Sequence, residues 1–275
     1  MWIILNYRSV MEIKGPDRFS FLQGLITQDV AQLTEHTPLY SLFLTNAGRF
    51  FCDFFLISQS DSIFITPGTS VLEAFRKKLL FYKLRSNIEI IDRDDWKVAV
   101  SFEKETVSFK EGTTFDDPRL EALGTLFVGP RTELEQCTSD MTDYEDKRLS
   151  YGVPEGPLDL EREKSIPLEN WMDEMRAISW TKGCFLGQEL TSRTKHVGVV
   201  RKKLLSFSST IPLRPDDNLS TVEGAEVGKV ESTYQEGTKG FALIYIEKIP
   251  KNKQVFVSKE GKNFPVHLYY PVFEK

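Results

Sequence analysis

Residues 179–203 read SWTKGCFLGQELTSRTKHVGVVRKK, and no other part of the 275-residue chain is as dense in reactive and conformationally special residues. The stretch contains one cysteine, three glycines and one histidine, and it ends in three consecutive cations. No acidic residue occurs between Leu190 and Pro215, so the local charge is positive. Such residues are poor choices for filling a core, and the stretch is therefore the first candidate for a functional site.

Cys184 has two interpretations. A thiolate is the reactive form of cysteine, and its pKa falls near cations or at a helix N-terminus. Lys182 lies two residues before it, residues 187–189 are predicted to begin a helix, and Gly183 leaves the sulfur accessible. The other interpretation is a small buried hydrophobe, which is common for a free cysteine. These residues by themselves leave both interpretations open.

The other cysteines and the histidines limit what a metal site can be. Cys52, Cys137 and Cys184 are far apart and odd in number, which excludes a disulfide framework, and the chain has no CxxC motif. Because there are only three histidines, any metal is expected to be shared with a partner. Cys52 in an apolar strand and Cys137 in a polar loop are predicted to be packing residues. A nucleophilic pair of Cys184 and His196 lacks a third member.

The cations that follow Cys184 also have two interpretations. An acid-free basic strip suits a phosphate backbone or a polyanionic small molecule, whereas most charge runs are simply solvated and balanced elsewhere. No aromatic residue interleaves the strip, and the net charge of −5 argues against direct nucleic-acid binding. The strip consists of Arg193, Lys195, Arg201, Lys202 and Lys203.

Composition predicts an ordinary globular protein of two or three domains, with 40% hydrophobic and 27% charged residues. Apolar runs such as residues 241–246 are far too short to span a bilayer, so no membrane association is expected. The N-terminal apolar run is too short for a signal peptide. We therefore expect a cytoplasmic protein, or a mitochondrial matrix protein whose presequence has been removed.

Periodicity along the chain predicts an α+β architecture. A strand over 1–14 and a helix after 15–17 are followed by an alternation of strands and one helix that resembles a ferredoxin-like module. Further helices are predicted over 141–149 and 169–178, and an all-β region begins after residue 198. The predicted strands of the module and its surroundings are 40–44, 50–58, 63–66, 88–91, 96–102 and 126–128, with a helix over 71–82. Those of the last region are 199–207, 225–234, 240–246, 254–258 and 264–269, with a hairpin turn at 259–262.

The segment KGCFLGQE at residues 182–189 is similar to the K-G-C-Y-x-G-Q-E signature of the YgfZ family, folate-binding relatives of the glycine-cleavage aminomethyltransferase, or T-protein. The resemblance is closest to the branch that contains the mitochondrial iron–sulfur assembly factor. Further matches are residues 21–29 (FLQGLITQD), 46–49 (NAGR) followed by Asp53, 82–85 (YKLR), 167–169 (PLE), and Thr191, Arg193, His196, Gly198, Arg201 and Lys202.

This resemblance implies a three-domain clover around a central folate channel. The domains would be a folate-binding domain of residues 1–48 and 131–195, a ferredoxin-like domain of 49–130, and a C-terminal β-barrel of 196–275. It further implies assembly or repair of iron–sulfur clusters with A-type scaffold proteins, for client enzymes such as the tRNA methylthiolase, hence the family label of tRNA-modifying protein.

The same resemblance assigns the site residues. Cys184 would donate a thiolate to a cluster shared with the partner, because one cysteine cannot hold a cluster alone. Tetrahydrofolate or a derivative would be held by Lys182, Gly183, Gln188, Glu189, Arg193, Arg148 and Asp29.

Two departures from the family's pattern bear on an alternative function, a tetrahydrofolate-dependent aminomethyl or one-carbon transferase. Phe185 replaces the usual tyrosine, and Ser150 stands where the T-protein has a glutamate that holds the pterin. The nearest candidate for the T-protein's catalytic carboxylate is Glu73. Whether the chain is an enzyme is therefore left open by the sequence.

Overall fold

A computed structural model describes residues 1–103, 109–134, 137–138, 140–251 and 254–273. Within these residues the chain forms two open antiparallel sheets and one closed barrel, with few helices. The strands are β1 (Trp2–Ile4), β2 (Met11–Lys14), β3 (Leu39–Leu44), β4 (Phe50–Gln59), β5 (Ser62–Ile65), β6 (Glu89–Asp92), β7 (Trp96–Ser101), β8 (Thr113–Asp116), β9 (Thr125–Pro130), β10 (Lys202–Ser209), β11 (Asn218–Ser220), β12 (Glu226–Tyr234), β13 (Lys239–Tyr245), β14 (Val255–Lys259) and β15 (Lys262–Tyr269).

The helices are short, because the core is built mainly from strands. They are α1 (Arg18–Gln23), α2 (Leu72–Lys83), α3 (Thr142–Tyr151), α4 (Gly156–Asp159) and α5 (Gln188–His196). Among the described residues, no helix combines the length and the apolar character needed to cross a bilayer.

The five-stranded sheet has the order β3-β4-β5-β2-β6 and is covered on both faces. Every residue of β3 and β5 is buried, which explains why these strands read as continuous apolar runs rather than as alternating ones. Phe75 and Leu79 of α2 belong to the hydrophobic cluster on one face. On the other face Phe64 stacks on Trp96 of the second sheet, with ring centroids 4.4 Å apart. This face-to-face packing joins the two sheets.

The predicted single strand over residues 1–14 is wrong, because it is two strands in different sheets. Strand β1 pairs with β7 at the edge of the four-stranded sheet, whose order is β1-β7-β9-β8. Strand β2 pairs with both β5 and β6 in the five-stranded sheet. The connection between them carries Arg8 into the interior, where its side chain is fully buried.

The C-terminal region forms a closed six-stranded barrel in the order β10-β13-β12-β11-β14-β15, with β15 pairing back to β10. This confirms the predicted α+β class with a C-terminal β-barrel. The hairpin at residues 259–262 is also confirmed, since Lys259 pairs with Lys262 across it. Strand β11 was not predicted, because it has only three residues.

The predicted helix over residues 169–178 is wrong. A short 3-10 turn covers Pro167–Asn170, and the chain then takes left-handed conformations at Trp171 (φ 61°) and Arg176 (φ 57°). The Trp171 indole N–H donates to the carbonyl oxygen of Leu204 in β10 at 2.5 Å. Tertiary anchoring of this side chain to the barrel therefore overrides the local helical pattern.

The pairing of β4 with β3 crosses residue 48, so one sheet takes strands from both sides of that position. The division of the chain into 1–48 with 131–195, 49–130 and 196–275 stays a prediction.

A buried ionic network connects the two sheets near the centre of the chain. Arg8 donates to Asp53 at 2.7 Å and to Glu155 at 2.5 Å, while Arg119 donates to the other oxygen of Glu155 at 2.7 Å. None of these four side chains is exposed to solvent. Burial alone would raise the pKa of Glu155, but Arg119 and Arg8 hold it well below its usual range. Glu155 is thus the carboxylate that two buried cations share.

A second buried pair extends this interior to the barrel. Arg148 of α3 donates to Asp159 at 2.6 Å, and Asp159 accepts from Ser232 at 2.5 Å and from Tyr234 at 2.6 Å, both in β12. The Arg148 guanidinium also lies 4.4 Å from the centroid of the Tyr234 ring. The barrel is therefore joined to the rest of the fold by a buried ion pair and its hydrogen bonds as well as by apolar contact. Within the described residues, the Nε and Nη2 atoms of Arg148 are buried without a hydrogen-bond partner.

Replacing Glu155 with glutamine should lower the free energy of unfolding by about 3–5 kcal/mol at pH 7, because Arg8 and Arg119 then stay buried with less compensation. A carboxylate with a depressed pKa stabilises the fold above its unfolded pKa of about 4.3, and this stabilisation is lost as the pH falls. The difference between wild type and E155Q, measured by urea unfolding, should therefore shrink below about pH 4. A difference that grows toward acid pH would contradict this assignment.

Candidate functional site

The side chain of Lys182 is turned inward and clamps the loop that carries Cys184. Its Nζ donates to the carbonyl oxygens of Gln23 at 2.6 Å, Ile26 at 2.9 Å and Gln28 at 2.9 Å. An ammonium group has three N–H donors, and each finds one acceptor here. Burial lowers the pKa of Lys182 to about 8, so the group remains mostly protonated at pH 7.

Backbone and side-chain hydrogen bonds fix the same loop on both sides of Lys182. The Ser179 N–H donates to the carbonyl of Thr27 at 3.0 Å, and the Leu186 N–H donates to that of Gly24 at 3.1 Å. The Thr27 hydroxyl donates to the carbonyl of Ala177 at 2.6 Å. The loop from 177 to 187 is therefore docked along residues 23–28. This contact brings together the two family motifs of the sequence, residues 21–29 and 182–189.

Two glycines allow a third motif to join this contact. Gly187 has φ +78°, and a Cβ there would lie 2.4 Å from the carbonyl oxygen of Thr45. Gly48 has φ +68°, and a Cβ there would lie 2.8 Å from the carbonyl oxygen of Gly187. Side chains at these positions would separate the loop from the turn at residues 45–48. Tyr82 of α2 reaches the same turn, because its hydroxyl donates to Asn46 Oδ1 at 3.2 Å.

Cys184 is exposed at the outer side of this clamped loop. A Cβ placed on the neighbouring Gly183 would meet no atom within 4 Å outside its chain neighbours, so this side of the loop is open. The other two cysteines are in different surroundings. Cys52 is buried and Cys137 is half-buried, and burial raises the pKa of each. Of the three thiols, Cys184 is therefore the one that a protein partner can reach directly.

The basic strip is partly neutralised. Lys195 forms an ion pair with Asp173, and Lys203 pairs with Glu174 at 2.9 Å. Lys202 lies 4.4 Å from the centroid of the Tyr245 ring. Arg193 and Arg201 are exposed and form no ion pair with any residue that the structure describes. These two arginines are the exposed cations of the strip that have no ion-pair partner among the described residues, and they are free to meet a ligand or a partner.

The predicted folate residues do not all come together. Six of them lie on or beside the Cys184 loop, but Arg148 lies at the barrel junction and contacts none of the others. Lys182 is occupied by its three carbonyls, and Asp29 accepts from Gln23 Nε2 at 2.8 Å and from the Ala31 N–H at 3.1 Å. Gln188 Oε1 accepts from the Phe185 N–H at 3.4 Å, and this hydrogen bond does not use the side-chain nitrogen of Gln188. Glu189 and Arg193 are exposed.

The sequence predicted that Lys182 holds the folate or lowers the pKa of the Cys184 thiol. It did not predict that Lys182 binds the backbone of residues 23–28. Its three acceptors are backbone carbonyls more than 150 residues away, and backbone acceptors carry no signature in a sequence. The available signal was that the sequence contains two motifs, residues 21–29 and 182–189. Their contact in the structure is what the clamp provides.

Replacing Lys182 with methionine keeps a long apolar stem but removes all three donors. We expect the free energy of unfolding to fall by about 3 kcal/mol, because buried carbonyls lose their partners. The matched control is K83M at a position with no ion pair to a described residue, which should change stability by less than about 0.5 kcal/mol. Urea unfolding of both variants decides the matter, and equal stabilities would refute the clamp.

No protein-family model matches the chain. The human protein "Iron-sulfur cluster assembly factor IBA57, mitochondrial" is 31% identical over 277 residues, which cover 89% of this chain and 77% of the relative. The mouse protein of the same name is 32% identical, with the same coverage of both chains. The homologue from Pyricularia oryzae is 31% identical over 73% of this chain and 55% of its own.

A solved structure extends the comparison to the fold. The glycine cleavage system aminomethyltransferase T from Bartonella henselae superposes with a TM-score of 0.78, covering 99% of this chain and 85% of that one. Its sequence identity is only 14%, so the likeness shows a common fold.

Proposed function

The chain belongs to the IBA57 family of iron–sulfur cluster assembly factors, and from this premise we propose that it works in iron–sulfur cluster assembly or repair, with Cys184 as a cluster ligand. The observation that carries the proposal is the exposed thiol of Cys184 on a loop that is clamped on both sides. A rigid loop lowers the entropic cost of presenting a ligand, because the thiol is held in place before any partner arrives.

The remaining cluster ligands must come from a partner. The described residues contain no group of three or more His, Cys, Asp or Glu side chains that could hold a metal ion. Thiolates are the preferred ligands of iron–sulfur clusters, and these clusters usually need four. Cys184 therefore supplies one ligand, and the partner's cysteines supply the others. We propose that this partner is an A-type scaffold protein and that the clients are iron–sulfur enzymes such as the tRNA methylthiolase.

The relatives' names place those proteins in mitochondria. We assign this chain to the mitochondrial matrix on that basis, in place of the cytoplasmic expectation.

The one-carbon transferase alternative gains no support from the side chains that were its candidates. Ser150 is exposed, and its hydroxyl donates to the carbonyl of Lys147 at 2.7 Å. Glu73 is also exposed and pairs with Lys77 one turn away at 2.6 Å. Neither position offers an interior carboxylate that could orient an amine beside a pterin.

Replacing Cys184 with alanine should abolish the visible absorption and circular dichroism of a cluster reconstituted on the mixture of this chain and a purified A-type scaffold protein. The reason is that the shared cluster loses one of its thiolates. C137A is the matched control, because it removes a half-buried thiol and should leave these spectra unchanged. Unchanged cluster binding by C184A would exclude the ligand role.

We also infer that the chain binds a folate and that Arg193 holds the carboxylate end of this ligand. Arg193 is exposed and without an ion pair to any described residue, and a guanidinium is suited to bidentate binding of a carboxylate. Bound folate would contribute one-carbon or redox chemistry, while this chain's arginine would only hold and orient it.

Replacing Arg193 with glutamine should weaken tetrahydrofolate binding by about tenfold in a tryptophan-fluorescence titration, because one charge-assisted hydrogen-bonded pair is lost. R214Q, which changes an exposed arginine in the barrel region, is the control and should bind like wild type. Equal affinities for R193Q and wild type would remove Arg193 from the folate site.

A further inference from the structure

Helix α2 has a second apolar face that points to solvent. Its inner face places Phe75 and Leu79 in the core, where neither is exposed. At its C-terminal end, however, Leu80 is 44%, Phe81 is 73% and Leu84 is 87% exposed. Leu80 and Phe81 lie in the last turn of α2, and Leu84 is the residue that ends the helix, so the three lie together at this end of α2. Single exposed apolar residues are ordinary, but a contiguous group marks an interaction surface. We call these three residues the α2 ridge.

The conformation of Leu84 strengthens this interpretation. Leu84 ends the helix with φ 42° and ψ −107°, in a region that branched and bulky side chains rarely adopt. Glycine would adopt this conformation at lower cost. Here a leucine occupies the position, and its side chain gains almost no burial within the chain itself. An apolar side chain kept in a strained, solvent-exposed position is explained if a partner covers it.

Cations surround the ridge. Lys77 and Lys78 precede it, and Lys83 and Arg85 flank Leu84. Lys77 is paired with Glu73 at 2.6 Å, whereas Lys83 and Arg85 form no ion pair with any described residue. This local charge is opposite in sign to the net charge of −5 of the whole chain. The surface that covers the ridge is therefore expected to carry acidic side chains around an apolar patch.

Of the ridge, Phe81 lines a cleft of about 630 Å³, together with Tyr82 of α2 and Leu186 of the Cys184 loop. Asn46 and Ala47 of the glycine turn also line the cleft. Leu186 is only two residues from Cys184. A protein that binds a cluster at Cys184 is thus positioned to cover the cleft and to reach the ridge.

We propose that the α2 ridge and this cleft form the docking surface for the protein that completes the cluster at Cys184, and that this protein presents an apolar patch with an acidic rim. The inference rests on the proposed function and adds to it an anchor that does not depend on the metal. Phe81 is the central anchor, because a large exposed aromatic side chain contributes most when an interface buries it. The flanking cations set the approach and the orientation of the partner.

The test separates docking from cluster ligation. The affinity of this chain for the purified A-type scaffold protein, prepared without a cluster, is measured by isothermal titration for F81S/L84S, K83E/R85E and C184A. We expect F81S/L84S to weaken binding roughly tenfold or more, because it removes the anchors. K83E/R85E should also weaken binding and should reduce its dependence on salt. C184A should bind the cluster-free partner like wild type while failing to share a cluster.

V222S is the matched control, because Val222 is 58% exposed in the barrel region and far along the chain from the ridge. If F81S/L84S binds like V222S while C184A loses the cluster, the docking surface is refuted and the proposed function stands. If C184A keeps the cluster, the proposed ligand role fails regardless of the ridge. If F81S/L84S loses binding only to phosphatidylglycerol-containing vesicles and not to the scaffold protein, the ridge is a membrane contact and the docking proposal is overturned.

Discussion

The ammonium group of Lys182 is the interaction on which the geometry of the Cys184 loop depends. A buried cation is costly unless it is fully hydrogen-bonded, and here three carbonyl oxygens from residues 23–28 provide that compensation. The same contact fixes two segments that are distant in the sequence. Because Lys182 is tied inward, the neighbouring Gly183 and Cys184 are directed outward. One residue thus serves folding and presents the thiol at the same time.

The rest of the fold fixes the position of this loop. The interior contains charge that is largely neutralised within the chain, with Glu155 between two arginines and Asp159 joined to the barrel. Removing one member of such a buried pair strongly lowers the free energy of unfolding. These pairs therefore fix the positions of the sheets and the barrel relative to one another. The loop also rests on the turn at residues 45–48, where only glycine permits the close approach. The likeness to an aminomethyltransferase therefore concerns architecture, while the function depends on what this chain places at the surface.

Much of the fold could be predicted from the sequence, because buried strands and a barrel leave strong patterns. Strands β3, β4, β5 and β13 follow apolar runs, and the KGC segment identifies the candidate thiol. Other features depend on long-range contacts that have no local pattern. Residues 1–14 divide between two sheets because Arg8 turns into the interior, and the Trp171 indole ends a predicted helix by bonding to the barrel. The α2 ridge was also not predicted. Leu80 and Phe81 follow the core residue Leu79 directly in the sequence, and only the structure shows that these two face solvent.

We propose that the Cys184 sulfur binds iron in a cluster shared with a second protein. It is tested most directly by labelling the cysteines of this chain alone with ³⁴S and recording the resonance Raman spectrum of the cluster-loaded complex. We expect an iron–thiolate stretching band to shift to lower frequency, because the heavier sulfur is a ligand, and we expect the labelled C137A chain to show the same shift. A cluster-loaded complex whose iron–thiolate bands are identical with and without the label would contradict it.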